Sequence, residues 1–253
     1  MTRFEVGVQL QPQHTTMADL RAAARAADEM GVDSIWTWDH FFPLYGDPAG
    51  NHFEGWTTLT AMAADTSHAR LGMLVTGNTY RNPELLADMA RTVDHISDGR
   101  AYLGLGAGWF ERDHDEYGYE FGTAGSRLAA LEASLERIKA RIDRLVPPPV
   151  GDLPILIGGG GEKVTLRITA RYADAWNTFG PPEVFAHKSS VLDRWCAEVG
   201  RDPGEIERTV AISGGEIEQV DAFVEAGATH VILMCGTEGP FVLDDLERLL
   251  ARR

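Results

Sequence analysis

Short apolar runs alternate with amphipathic helical stretches along this 253-residue chain, and that alternation constrains the fold more than any other feature. Phe4 to Gln11, Ser34 to Trp38, Leu71 to Thr76 and Ala101 to Leu105 read as strands, as do Ile155 to Ile157, Asp174 to Thr178, Ile206 to Ser213 and Thr229 to Cys235. Between them lie helical patterns. Leu20, Ala23, Ala24, Ala27 and Met30 mark an inner face that Gly31 ends. Pro83 opens another helix, with Leu86, Met89, Val93 and Ile96 on one side. The clearest carries Leu128, Leu131, Leu135, Ile138, Ile142 and Leu145, and Pro147 to Pro149 stop it. Strict alternation implies parallel strands joined by right-handed crossovers. Eight such units close into a (β/α)8 TIM barrel. The sequence has no linker or low-complexity segment, so residues 1–253 are expected to form a single barrel domain.

The charge balance narrows the partners. A net charge of −15 disfavours nucleic acid and anionic membranes, which attract basic surfaces, and leaves a small-molecule substrate open. No apolar run approaches the ~20 residues that cross a bilayer. The N-terminal residues carry no signal-peptide core. Cys196 and Cys235 lie in apolar patterns as buried thiols, which suits a reducing, cytoplasmic setting.

In a barrel of this kind, sites gather at the C-terminal ends of the strands. The unusual residues of this chain fall there: Gln11 to His14, Asp39-His40, Thr76 to Arg81, Ala107 to Glu111, Gly158 to Gly161, and Asn177. The stretch Pro154 to Arg167 is the most specific. An apolar strand runs into four glycines and then a helical pattern at Val164, Ile168 and Tyr172. That order aims free backbone N–H groups at an anion, with Lys163 and Arg167 available to add positive charge. The GxxxxGK[ST] spacing of a Walker loop is absent.

His40, at a strand exit, is the candidate general acid or base, with Glu111 as a second acid. Asp39 precedes the imidazole but faces another way in an extended chain. Glu111-Arg-Asp-His-Asp-Glu116 lacks metal-ligand spacing and reads as a solvated helix start, so no metal site is assigned. His14 is a possible mouth residue or a plain loop residue. The lysines, Lys139, Lys163 and Lys188, all lie off the strands, which disfavours Schiff-base chemistry. No Gly-x-Ser-x-Gly elbow occurs. An anion anchor, aromatic walls and one or two titratable groups suit a flat phosphorylated cofactor.

These residues resemble a known family across nearly the whole chain. Trp36-Thr-Trp-Asp-His40, Leu71 to Pro83, Asp94-His-Ile-Ser-Asp-Gly-Arg100, Gly104-Leu-Gly-Ala-Gly-Trp109, Ile157 to Arg167 and Tyr172 to Asn177 look like the luciferase-like monooxygenase superfamily. The nearest likeness is to its branch that uses the deazaflavin coenzyme F420; the same scaffold also takes FMN. The resemblance implies a ring lying across the strand ends, with Asp39 contacting the cofactor and His40 over the reactive face. A bulge at Leu74, Val75, Thr76 and Gly77 would back the ring, often through a non-proline cis peptide. Ala107 and Gly108 would line the path of the tail, Gly158, Gly159 and Gly160 would hold its phosphate, and Asn177 would face the same site. A homodimer is also implied. Family members carry longer segments before the fifth strand and after the seventh; here Leu145 runs almost directly to Pro154, and Ser213 to Glu216 is short. The expected activity is F420-dependent hydride transfer to or from an organic substrate. An FMN-dependent monooxygenase using dioxygen, a non-redox isomerase or lyase of phosphometabolites, and a non-catalytic ligand-binding barrel are the alternatives.

Overall fold

A computed structural model describes residues 4–236 and 241–253. The strands are β1 (Glu5–Leu10), β2 (Ser34–Thr37), β3 (Arg70–Met73), β4 (Thr76–Gly77), β5 (Ala101–Gly106), β6 (Ile155–Gly158), β7 (Ala175–Thr178), β8 (Glu207–Ile212) and β9 (His230–Cys235). All pair in parallel, and contact of β3 with β5 closes the sheet into a barrel. The third barrel strand is expected as one run but forms as two pieces, β3 and β4, with a cis peptide between Leu74 and Val75. The resemblance implies this feature at this place.

The helices are α1 (Met17–Glu29), α2 (Gly55–Asp65), α3 (Pro83–Ile96), α4 (Glu111–Tyr117), α5 (Ala124–Ile142), α6 (Thr165–Tyr172), α7 (Pro182–Val199), α8 (Val220–Glu225) and α9 (Asp244–Leu250). Thr16 caps α1 by accepting from the Asp19 amide, and Pro83 sits in the first turn of α3, as the sequence signals predict. Strand residues alternate between two cores. One side packs on the helices through residues such as Ile35, Leu71 and Leu103. The other fills the barrel with Trp36, Leu74, Tyr102, Leu156 and Ile232. None of the described helices is long and apolar enough to cross a membrane.

The N-terminal end of the barrel is plugged by a chain of hydrogen bonds. Trp36 Nε1 donates to Ser34 Oγ (2.6 Å), which meets His230 Nε2 at 2.7 Å. His230 Nδ1 lies 2.7 Å from Glu207, and the Tyr102 hydroxyl donates to the same carboxylate at 2.9 Å. Glu5, Glu207 and His230 are close enough to surround a metal. Both imidazole nitrogens already have partners there, and Arg70 stands beside the group, donating to Tyr102.

The Asp94 to Arg100 motif has a structural use. Buried Asp94 accepts from the amides of Val150 and Gly151 (2.7 and 3.0 Å). Arg100 donates to the carbonyls of Ala63, Thr66 and Ala69, tying α2 to the start of β5. The polar exit of β1 likewise holds the long loop after β2. Gln13 Oε1 accepts from the Leu44 amide, and His14 Nε2 meets the Tyr45 carbonyl at 2.7 Å. His14 is therefore a loop clamp, and it is not among the residues lining the cavity at the strand ends.

Glycine is required where the broken strand meets its neighbour. A Cβ on Gly104 would stand 1.9 Å from the Met73 carbonyl oxygen, which is backbone and cannot yield. Gly104→Ala is expected to destabilise the fold by about 3 kcal/mol or more in denaturant melts. Gly125→Ala, whose Cβ would meet nothing closer than 3.8 Å, should be neutral or stabilising.

His52 offers a second test in the long loop. Its Nε2 accepts from Trp38 Nε1 at 2.9 Å, and burial holds its pKa down at about 4, with the neighbouring His40 adding to the effect. The unfolded chain therefore binds this proton first as pH falls. Stability conferred by neutral His52 is complete above about pH 6.5 and is lost toward pH 4. His52→Gln should flatten that loss by up to roughly 3 kcal/mol, read from urea melts across the window.

Candidate active site

A cavity of about 460 Å³ opens at the C-terminal ends of the strands. Its lining joins residues from distant parts of the chain: Asp39 and His40 after β2, Leu74 to Gly77 at the break, Ala107 and Gly108 after β5, Gly158 and Gly159, and Asn177. These sequence-predicted positions therefore share one space. Gly160 is not among the lining residues, and neither is Glu111. It begins α4 and is exposed, because the helix turns that position outward.

The acid that reaches the site is Asp113, two residues further on. The expectation of a solvated helix start fails here, since Asp113 and His114 are both fully buried. The Asp113 carboxylate lies 2.7 Å from His40 Nδ1, and accepts from the Tyr80 hydroxyl (2.9 Å) and the Phe41 amide (3.0 Å). An acceptor at Nδ1 fixes the proton there, so Nε2 is the nitrogen left for a ligand. Nε2 has no protein partner among the described residues. The ring is held edge-on by Trp38, Trp109 and Phe110, with centroids 5.5–5.8 Å away. Burial, and then the Asp113 charge, push the Tyr80 phenol well up, so it stays a hydrogen-bond donor.

Asp39 has a partner that sequence reasoning missed. Arg81 grips its carboxylate with both terminal nitrogens, the second at 2.9 Å, and also reaches Glu54 at 2.9 Å. The Gly77 amide donates to Asp39 at 3.2 Å. Burial pushes the Asp39 carboxyl up to about 6, against the Arg81 charge, and it remains ionised at neutral pH. Asp39 thus ties the exit of β2 to the far side of the strand break.

The break forms a shelf. Gln9 Nε2 donates to the Leu74 carbonyl at 2.8 Å. A Cβ on Gly106 would meet Val75 at 2.7 Å, and one on Gly158 would meet it at 3.0 Å. Thr76 is a lining residue, and its Oγ1 is buried without a hydrogen-bond partner among the described residues.

The glycine loop differs from the sequence reading in its detail. The Gly159 amide is spent on the Asn177 carbonyl at 2.9 Å, an effect of the β6–β7 pairing. The amides of Gly160 and Gly161 have no partner among the described residues. Arg167 is paired with Glu132 and unavailable. The cation at the loop is Lys188 from α7, whose Nζ donates to the Gly160 carbonyl at 2.6 Å.

Comparisons with known proteins agree with this architecture. Residues 1–213 match the model of the luciferase-like monooxygenase family. Over 232 residues the chain is 26% identical to a 5,10-methylenetetrahydromethanopterin reductase of Methanolobus tindarius, covering 83% of this chain and 68% of the relative. It is 28% identical over 246 residues to a phthiodiolone/phenolphthiodiolone dimycocerosates ketoreductase of Mycobacterium bovis, covering 81% and 64%. The chain thus spans about two thirds of the length of these relatives. Among solved structures, an F420-dependent secondary alcohol dehydrogenase superimposes with a TM-score of 0.85 at 17% identity, covering 98% of this chain and 96% of that one. A Baeyer-Villiger monooxygenase component of Pseudomonas putida in complex with FMN gives 0.68 at 16% identity, covering 84% and 67%. The family match extends over most of the barrel, and the chain belongs to the luciferase-like monooxygenase family.

Proposed function

We propose that this protein is an oxidoreductase that uses coenzyme F420 to move a hydride to or from an organic carbonyl or alcohol. The observation that carries the reading is His40, paired with buried Asp113, on one cavity with the Leu74 to Gly77 shelf and with Gly158 and Gly159 at the start of the glycine turn.

The residues fit a planar redox cofactor with a phosphorylated tail. The unpartnered Thr76 hydroxyl offers a hydrogen bond to a polar ring edge. Val75, seated against Gly106 and Gly158, presents a wall without projecting groups. The free amides of Gly160 and Gly161, with Lys188 close by, provide for a phosphate. Residues of this chain would hold F420 there, and when bound it supplies or takes the hydride.

The protein's own part is proton transfer and orientation. In reduction, His40 as the imidazolium gives its Nε2 proton to the carbonyl oxygen and is left neutral with Nδ1–H on Asp113; in oxidation the neutral ring takes the alcohol proton at Nε2. Asp113 holds the tautomer and stabilises the charge on the ring, and Tyr80 keeps that carboxylate fixed. The Trp38 and Trp109 rings flank His40 and hold it edge-on.

Spectral titration tests the cofactor. F420 should bind at micromolar concentration and more tightly than FMN. Tight FMN binding with no F420 binding would transfer the reading to an FMN-dependent monooxygenase, consistent with the FMN-bound member of the fold.

Turnover tests the pair. His40→Ala should lower kcat by about 100-fold or more. Asp113→Asn should lower it by about tenfold or more, with F420 affinity within about twofold of wild type. Glu111→Gln should leave kcat unchanged.

A further inference from the structure

We infer that the compartment beside His40 is built for a neutral, apolar substrate with a flat or conjugated skeleton, and that it rejects carboxylates and phosphates. The inference deepens the proposed oxidoreductase reading and rests on its placement of the reacting group at His40 Nε2.

Among the described residues, positive charge and free donors lie together next to the cavity only at the glycine turn, where Lys188 and the unpaired Gly160 and Gly161 amides follow the lining residues Gly158 and Gly159. The lining contains no lysine or arginine among the described residues; of the guanidiniums bonded to lining residues, Arg81 is engaged by Asp39 and Glu54, and Arg127 by the carbonyls of Gly108 and Phe121. Once the anion end holds a cofactor tail, no positive group is left to meet an anionic substrate. Bringing a carboxylate into this space without a partner costs several kcal/mol.

The surroundings of His40 are instead aromatic. Trp38, Trp109 and Phe110 flank its ring, and Tyr45 lies tilted against Trp38 at 6.2 Å. Tyr45 and Trp109 are 63% and 64% exposed at the mouth. Large rings left this open on a lining surface gain free energy when an apolar molecule covers them. The Trp109 ring lies 5.8 Å from the imidazole that would carry the proton, so a molecule covering Trp109 would stand beside His40. The acidic surface of the whole chain adds repulsion for anions at the entrance.

A size-matched pair of probes separates the possibilities: benzalacetone, a neutral enone, and cinnamate, its carboxylate counterpart. Binding is measured by quenching of tryptophan fluorescence and by calorimetry, with and without saturating F420, on the full chain. Benzalacetone is expected to bind at least tenfold more tightly than cinnamate. Trp109→Ala should weaken it about fivefold or more, with F420 affinity within twofold. Tyr45→Phe, which keeps the ring and removes the hydroxyl, should retain benzalacetone affinity and thereby show that the apolar face is what binds. Equal or tighter binding of cinnamate overturns the inference, as does an unchanged benzalacetone affinity in Trp109→Ala. If F420 fails to bind while the preference for the neutral probe persists, the cofactor reading falls and the inference about the compartment stands.

Discussion

The site depends on one steric constraint: the third barrel strand can break only because three glycines make room for it. A Cβ on Gly104 would stand 1.9 Å from the Met73 carbonyl oxygen, and one on Gly106 or Gly158 would crowd the Val75 side chain at 2.7 or 3.0 Å. The break moves Leu74 to Gly77 off the regular ladder and into the cavity. Two long-range hydrogen bonds secure it, from Gln9 to the Leu74 carbonyl and from the Gly77 amide to Asp39. Glycine is costly in a strand in conformational entropy. Here that cost is offset by a surface that only an irregular backbone can present.

Around this shelf, buried charges are compensated in pairs. Asp39 is matched by Arg81, and Asp113 by two donors and an imidazole. A buried carboxylate left alone would cost several kcal/mol, so each pair fixes its elements firmly. The pairs also divide the labour. Asp39–Arg81 joins β2 to the strand break, and Asp113–His40 joins β2 to α4. The exit of β2 is thereby held from both sides, which sets the orientation of the one imidazole facing the cavity.

Much of this was legible in the sequence, and the failures have physical causes. The apolar runs located every barrel strand to within a residue or two, because parallel strands buried on both faces must be apolar throughout. Asp39, His40 and the glycine turn were found because strand ends are where a barrel places polar residues. Asp113 was hidden by its neighbours. It lies among five other charged or ionisable residues, Glu111 to Glu116, and its partners are 33 to 73 positions away. Local pattern favoured a solvated helix start; tertiary contact decided otherwise. Which glycine amides are free followed the same logic. Four glycines in a row announce a turn, but the pairing of β6 with β7 consumes the Gly159 donor. The break in the third strand has no local signature either, since Leu71 to Thr76 is as apolar as its neighbours.

The hydrogen-bonded plug of Trp36, Ser34, His230, Glu207 and Tyr102 has a kinetic consequence. It turns the barrel into a cul-de-sac, with traffic at one doorway. A ligand of the cavity therefore enters and leaves by the same rim, at the strand C-termini.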